Sequence, residues 1–306
     1  MAFLPEGMLI NNIDNLSSMQ NIHTLKTAAE TGQILESRAI ICDAEHNLIV
    51  NLNGIKGIIK RTEGAIGISE GTTRDIALIS RVNKAVCFVV DGFSKDENGN
   101  DIVMLSRRKA QESCRKYYID KLTPGDIVKA KVTHLEPFGS FVDLGCGIVS
   151  LIPIDSISVS RISHPCDRFK TGQDIFAVVK SIDSDGKISL THKELLGTWE
   201  ENAANFSIGE TVAGIVRSVE NYGIFVELAP NLAGLAELKS NVKIGDRAGV
   251  FIKSIIPEKM KIKLFIVDSF EGEKIDYTYD YKYREGKLTY WKYSPEISDK
   301  LIETKF

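Results

Sequence analysis

Val132-Thr133-His134-Leu135-Glu136-Pro137-Phe138-Gly139-Ser140-Phe141-Val142-Asp143-Leu144 returns further along as Val216-Arg217-Ser218-Val219-Glu220-Asn221-Tyr222-Gly223-Ile224-Phe225-Val226-Glu227-Leu228. The separation is the same from Phe138 to Tyr222, Gly139 to Gly223, Phe141 to Phe225 and Leu144 to Leu228. A fixed internal period marks a module used more than once, so fold and function are read per module. What repeats is an aromatic, a glycine, a second aromatic, a valine, an acid and a leucine. Two aromatics flanking a glycine on a strand form an exposed platform on which flat bases stack.

Working outward from the first copy, turn residues punctuate the chain at short intervals: Pro124-Gly125-Asp126, Pro137-Phe138-Gly139, Gly145-Cys146-Gly147, Lys170 to Gln173 and Asp183 to Gly186. Five short β-branched or alternating runs lie between and beside them, which suits a small barrel better than a helical or βαβ plan. The same five recur between Glu210 and Val267. Upstream, Gly32–Ile41, Asn47–Leu52, Gly54–Ile59, Val86–Val90 and Ile102–Leu105 read as a third, degenerate copy. Its platform is missing, because aligning Leu52 with Leu144 puts His46 and Ile49 where Phe138 and Phe141 stand. That copy reads as scaffold.

The connecting pieces are helical. Leu16–Glu30 carries Met19, Ile22, Leu25 and Ala29 on one side of a helix. Ser106 starts a basic helix whose Arg107, Arg108, Lys109, Arg115 and Lys116 either track a phosphate backbone or form a solvated face. Thr198 and Glu201 have capping-box spacing, with Trp199 and Phe206 free to pack on a barrel. At the end, the alternating Asp276–Tyr283 and the run Lys287–Tyr293 flank Arg284-Glu285-Gly286 as an aromatic hairpin. The fold class is therefore all-β: three tandem five-stranded OB-like barrels with short helical connectors and a C-terminal β-hairpin. The boundaries expected are a helical segment 1–31, a degenerate domain with its basic helix 32–119, a domain 120–194, a connector 195–206, a domain 207–270, and a hairpin with tail 271–306.

Composition narrows the function. The chain of 306 residues is 43% hydrophobic and 26% charged, ordinary for a soluble protein of two or three small domains. Its longest apolar runs are too short to span a bilayer, and Pro5, Glu6 and Gly7 break the one apolar stretch where a secretion signal would sit. Cys42, Cys87, Cys114, Cys146 and Cys166 show no Cys-x-x-Cys spacing, so neither a disulfide framework nor a zinc site is indicated, and a reducing cytoplasm is the expected location. A net charge of −3 is not the footprint of a protein that grips nucleic acid by bulk charge. There is no P-loop, no Gly-x-Ser-x-Gly, no His-Glu-x-x-His and no aspartate cluster for two metals, so no enzyme, cofactor or small-molecule substrate is expected.

The repeated signature resembles the S1 RNA-binding domain, an OB-type five-stranded barrel. The resemblance is strong over Leu122–Glu194, where Thr123-Pro124-Gly125-Asp126-Ile127-Val128, Phe138-Gly139-Ser140-Phe141-Val142-Asp143, Arg161-Ile162-Ser163-His164-Pro165 and Gly186-Lys187-Ile188-Ser189-Leu190 fall in order. It is good over Ser207–Asp268 and weak over Gly32–Ala110. With Trp199 in the connector and the Tyr293-Ser294-Pro295 ending, the layout is similar to short S1-domain proteins of clostridia-type Firmicutes. The resemblance implies an RNA face of two aromatics, a histidine on the third strand, and an acid and a base around the last hairpin. The central copy then supplies Phe138, Phe141, Asp183 and Lys187, with Pro153 in place of the histidine; the last copy supplies Tyr222, Phe225 and Lys261, with Glu237 and Pro257 in place of the histidine and the acid. His134 and Arg217 lie on predicted strands where they reach bases or phosphates.

The expected function is binding of single-stranded RNA, mRNA in connection with translation, with the central module leading because Glu237 repels phosphate in the last one. The ribosome stands as a second candidate partner. The rival reading is a protein–protein adaptor that docks on the ribosome or on RNA-degradation machinery without touching RNA.

Overall fold

In a computed structural model, described over residues 3–272 and 278–306, fifteen of the seventeen strands close three barrels. The first comprises β1 (Leu35–Cys42), β2 (Leu48–Leu52), β3 (Ile55–Ile59), β4 (Ala85–Lys95) and β5 (Asp101–Ser106). The second comprises β6 (Ile127–Glu136), β7 (Gly139–Gly145), β8 (Ile148–Pro153), β9 (Asp174–Ile182) and β10 (Ile188–Thr191). The third comprises β11 (Thr211–Glu220), β12 (Gly223–Ala229), β13 (Leu232–Ala236), β14 (Arg247–Ile256) and β15 (Lys261–Phe270). In each, three strands form an antiparallel meander and the fifth strand pairs in parallel with the third, closing the barrel. Closure leaves no free edge for another chain to pair with. The expected fold class is what is observed.

Alternation explains why these segments are strands. Along β15, Ile262, Leu264 and Ile266 are buried while Lys261, Lys263, Phe265 and Val267 face out. The inward set meets Val216, Ile224, Val226, Val250 and Ile252 in the third core. Each such side chain contributes about 1.5–3 kcal/mol when fully withdrawn from water.

The chain divides into two compact units: residues 1–122 with 129–131 and 143–149, and residues 123–128, 132–142 and 150–306. In the first unit the single N-terminal helix expected over Leu16–Glu30 is two helices, α1 (Ile13–Ser18) and α2 (Ile22–Thr31). The reason is local. Asn21 accepts the N–H groups of His23 and Thr24, and Thr24 in turn accepts the Asn21 N–H, so a reciprocal cap starts a new helix there. After the single-turn α3 (Ile76–Ile79) comes α4 (Arg107–Tyr117), capped as expected by Ser106, which accepts the Lys109 N–H.

The basic run of α4 divides: Lys109, Arg115 and Lys116 lie on a solvated face, as one of the two expected readings has it, while Arg107 turns inward. Arg107 is buried and grips Glu6 with two hydrogen bonds, Nε to Oε1 at 2.6 Å and Nη2 to Oε2 at 3.0 Å. Burial, the largest single influence, would raise the Glu6 pKa, but the charge and hydrogen bonds of Arg107, the charge of Arg81 and the Cys87 N–H together outweigh it and hold the carboxyl below its ordinary range. Arg108 pairs with Glu63 and Glu112, Lys109 with Asp91, and Arg115 with Asp120. Glu6 and Asp143 also show what the repeated acid is for. Buried Asp143 accepts the N–H groups of Glu6, Gly145 and Gly147.

In the second unit, α5 (Trp199–Ala203) has the expected capping box, and Trp199 and Phe206 pack on the third core. The C-terminal hairpin is present with different partners. β16 (Tyr290–Lys292) pairs with β17 (Glu303–Lys305), not with the tyrosine-rich run. Of that run, Asp276 and Tyr277 lie outside the described residues. Tyr279 and Tyr281 are instead spent on the second barrel, where they meet His192 edge-on at centroid distances of 4.8 and 5.5 Å. Over 278–283 the alternation that reads as a strand is thus a strap with two anchoring rings.

Candidate nucleic-acid interface

The platform residues are set by the turn between the first two strands of each barrel. Phe138 sits in the β6–β7 turn and is 55% exposed, and Phe141 lies half-buried on β7. Their ring centroids are 6.0 Å apart with planes at 88°. Tyr222, 65% exposed, and Phe225 repeat this arrangement at 6.1 Å and 88°. Two stretches of chain with different residues have converged on one edge-to-face geometry, which leaves the outer ring's faces open to a stacking partner.

The intervening glycine is a matter of space. A Cβ at Gly139 would lie 2.5 Å from the Ile152 carbonyl oxygen, and one at Gly223 would lie 2.6 Å from that of Ala236. In both barrels the third strand's backbone passes too close for any side chain, and this approach holds the aromatic turn against the barrel wall.

His134 joins the central platform. Its ring is 6.5 Å from Phe141 with planes 29° apart, and its Nε2 is 2.6 Å from Glu136 Oε1. Asp183 and Lys187 occupy the β9–β10 turn. The Asp183 carboxylate accepts the N–H groups of Asp185 at 2.9 Å and Lys187 at 2.8 Å, so it shapes the hairpin. Lys187 projects into solvent, 3.8 Å from Asp185.

Arg217 is a correction. The register between β11 and β12 slips between Val216 and Ser218, which makes Arg217 the extra residue of a β-bulge. The bulge turns its guanidinium onto Glu227 at 2.8 Å and Asp167 at 3.1 Å, with 13% of the side chain exposed. Buried Arg168 meets the same Glu227. Arg217 is therefore committed to internal carboxylates, which no spacing in the sequence reveals. Glu237 also differs from expectation. Its carboxylate lies 2.8 Å from Lys253 Nζ, and this hydrogen bond lowers its pKa; Lys253 in turn sits 5.5 Å from the Phe265 ring centre. The repulsion expected of Glu237 is offset by a partner in place.

Lys261 is exposed on β15 as the alternation requires, and the pairing adds a residue that motif matching passed over. Phe225 stands opposite Leu235, and Leu235 opposite Lys263, so aromatic, aliphatic and cation form one row across the outside of the barrel. The lysine alternation 259, 261, 263 is the signal for it. In the central barrel the place opposite Leu151 is held by Ser189.

Residues 121–193 match the model of the S1 RNA binding domain. This segment belongs to the S1 domain family. Small ribosomal subunit protein bS1 of Leuconostoc lactis is 30% identical over 235 residues, 71% of this chain and 52% of that protein. The bS1 homolog of Bacillus subtilis is 31% identical over 199 residues, 62% of this chain and 50% of that protein. The chain spans about half the length of these relatives. Among solved structures, a multidomain protein with nucleic acid binding domains from Streptococcus pneumoniae covers 78% of this chain and 74% of its own at 13% identity, with a TM-score of 0.25. In the S1 domain, Phe138, Phe141 and His134 form a cluster of rings. The third barrel, outside the matched segment, carries the same pair geometry at Tyr222 and Phe225.

Among the described residues, no helix is long and apolar enough to cross a membrane.

Proposed function

We propose that the chain binds single-stranded RNA, mRNA in connection with translation, by stacking bases on Phe138 with Phe141 and on Tyr222 with Phe225. The observation that carries this reading is the duplicated edge-to-face pair, with its outer ring more than half exposed in both barrels. A single exposed ring is ordinary, but the same pair geometry at the same place in two barrels offers two open ring faces, and stacking tolerates any base. Lys187, Lys261 and Lys263 stand ready for phosphates, and the free edge of Asp183 for a ribose hydroxyl. Ribosomal relatives support a cytoplasmic setting and the ribosome as a further partner. Binding rather than catalysis is the role we assign.

A second reading has its own observation. Phe265, Val267 and Phe270 are exposed on β15, an apolar strip suited to a protein partner. One titration separates the two: oligo(U) and oligo(A) at two salt concentrations, with wild type, Phe138→Ala/Phe141→Ala and Tyr222→Ala/Phe225→Ala. Each pair of substitutions is expected to weaken binding by between about fivefold and a hundredfold per base lost from the stack. No binding at low salt, or unchanged affinity in both variants, leaves the adaptor reading standing.

A further inference from the structure

Beside Tyr222 and Phe225 the surface falls into a cleft of about 760 Å³, within the size range of small-ligand sites. Beyond the strands of the third barrel, three stretches of the same compact unit wall it: the loop 159–163 that follows the central barrel's third strand, the turn between β14 and β15, and the connection between β16 and β17. Each wall brings an exposed cation, Arg161, Lys259 and Lys300 respectively. Among the described residues none of these three is held in an ion pair. This sets them apart from Arg217, which lines the same cleft but is committed to Glu227 and Asp167. One carboxylate, Glu220, stands against them in the lining.

The apolar part of its lining includes Ile162 and Met260. Met260 has φ +47°, a left-handed conformation that residues with a Cβ avoid. The equivalent place in the central barrel, just before Lys187, is Gly186 with φ +75°. A turn that glycine fits without strain thus carries a long, adaptable side chain between two lysines, where it faces the cleft. Strain of this kind is kept where a side chain has a task at that spot.

We infer that this cleft takes a nucleotide of single-stranded RNA adjoining the one stacked on Tyr222, its base against Met260 and Ile162 and its flanking phosphates against Arg161, Lys259 and Lys300. The inference rests on the RNA-binding reading and deepens it. The third barrel, joined by the loop and the β16–β17 connection, becomes the stronger site, and the ring cluster of the central barrel the weaker.

The test uses the full chain and 4-thiouridine-substituted oligo(U), with cross-links mapped by mass spectrometry, alongside titrations of the variant Arg161→Gln/Lys259→Gln/Lys300→Gln. All three positions are exposed, so the variant keeps its fold. Cross-links to the peptide bearing Lys259 and Met260 are expected, with affinity about tenfold lower in the variant and the salt slope shallower by about 2. If wild type binds and Tyr222→Ala/Phe225→Ala weakens it while the triple variant keeps wild-type affinity and salt slope, the cleft assignment is overturned and the platform reading survives. If wild type neither binds nor cross-links, the RNA-binding reading fails and takes the cleft with it.

Discussion

Arg168 Nη2 lies 2.6 Å from Glu227 Oε2, with both side chains almost entirely withdrawn from solvent. The same Arg168 nitrogen reaches the Pro230 carbonyl at 2.7 Å, and Arg217 shares the carboxylate. Glu227 is the repeated acid of the second platform strand, so one carboxylate holds two guanidiniums. It fixes the bulge at Arg217 and ties the segment that ends at Arg168 to β12.

Removing that charge while keeping the shape leaves two buried cations short of a partner. Glu227→Gln is expected to cost about 3–5 kcal/mol, the range for breaking a buried pair from one side. Urea denaturation measures it; a loss below about 1 kcal/mol, the worth of a surface pair, would show that water reaches the cluster.

Gly139→Ala tests the close approach beneath the central platform. The added methyl meets the Ile152 carbonyl at 2.5 Å and the Pro153 Cα at 3.1 Å, so backbone must move. A destabilisation of about 1–3 kcal/mol is expected. Chemical shifts of Phe138 and Phe141 should move with it, and unchanged ring signals would mean that the turn does not depend on this contact.

His192 gives stability a pH dependence. Burial pushes its imidazole down to about 3, and it is enclosed by Phe169, Tyr279 and Tyr281. Between pH 6.5 and about 3 the unfolded chain binds a proton that the folded chain refuses, so this contribution is complete above 6.5 and is lost as pH falls. The slope is about 1.4 kcal/mol per pH unit for one proton. Buried Glu36, raised to about 7, works the other way, favouring the folded state at low pH and losing that as pH rises toward 7. The comparison is therefore between wild type and His192→Gln at pH 7, 5.5 and 4.5. The variant is expected to start less stable and to show a flatter decline, and parallel curves would refute the assignment.

Glu237→Gln releases Lys253 from its carboxylate. Both side chains are substantially exposed, so thermal stability should be unchanged. RNA affinity should rise by about threefold at low salt and converge with wild type at high salt. A fall in affinity would mean that Glu237 itself contacts the nucleic acid.

The barrels and the platforms were legible in the chain because both are local. Period-two alternation, turn glycines and aromatics on either side of a glycine act over a few residues, and the repeat supplied their register twice. Ser106 and Thr198 announced their helices for the same reason. Charge was not legible, since an arginine in a sequence does not disclose its partner. Arg107 reads as part of a phosphate track in the sequence, yet Glu6, far away in the chain, holds it inside the same unit, and Arg217 reads as a rim residue although a bulge turns it inward. The tyrosine run alternated like a strand, yet Tyr279 and Tyr281 are held by the pocket around His192. The cleft beside Tyr222 is the extreme case, assembled from loop 159–163, a strained methionine and the β16–β17 connection bearing Lys300. By itself the sequence determined which modules form and where each offers its rings, because those depend on neighbours along the chain. Only the tertiary structure decided which cations remain free to meet a phosphate, because that depends on carboxylates brought near by folding.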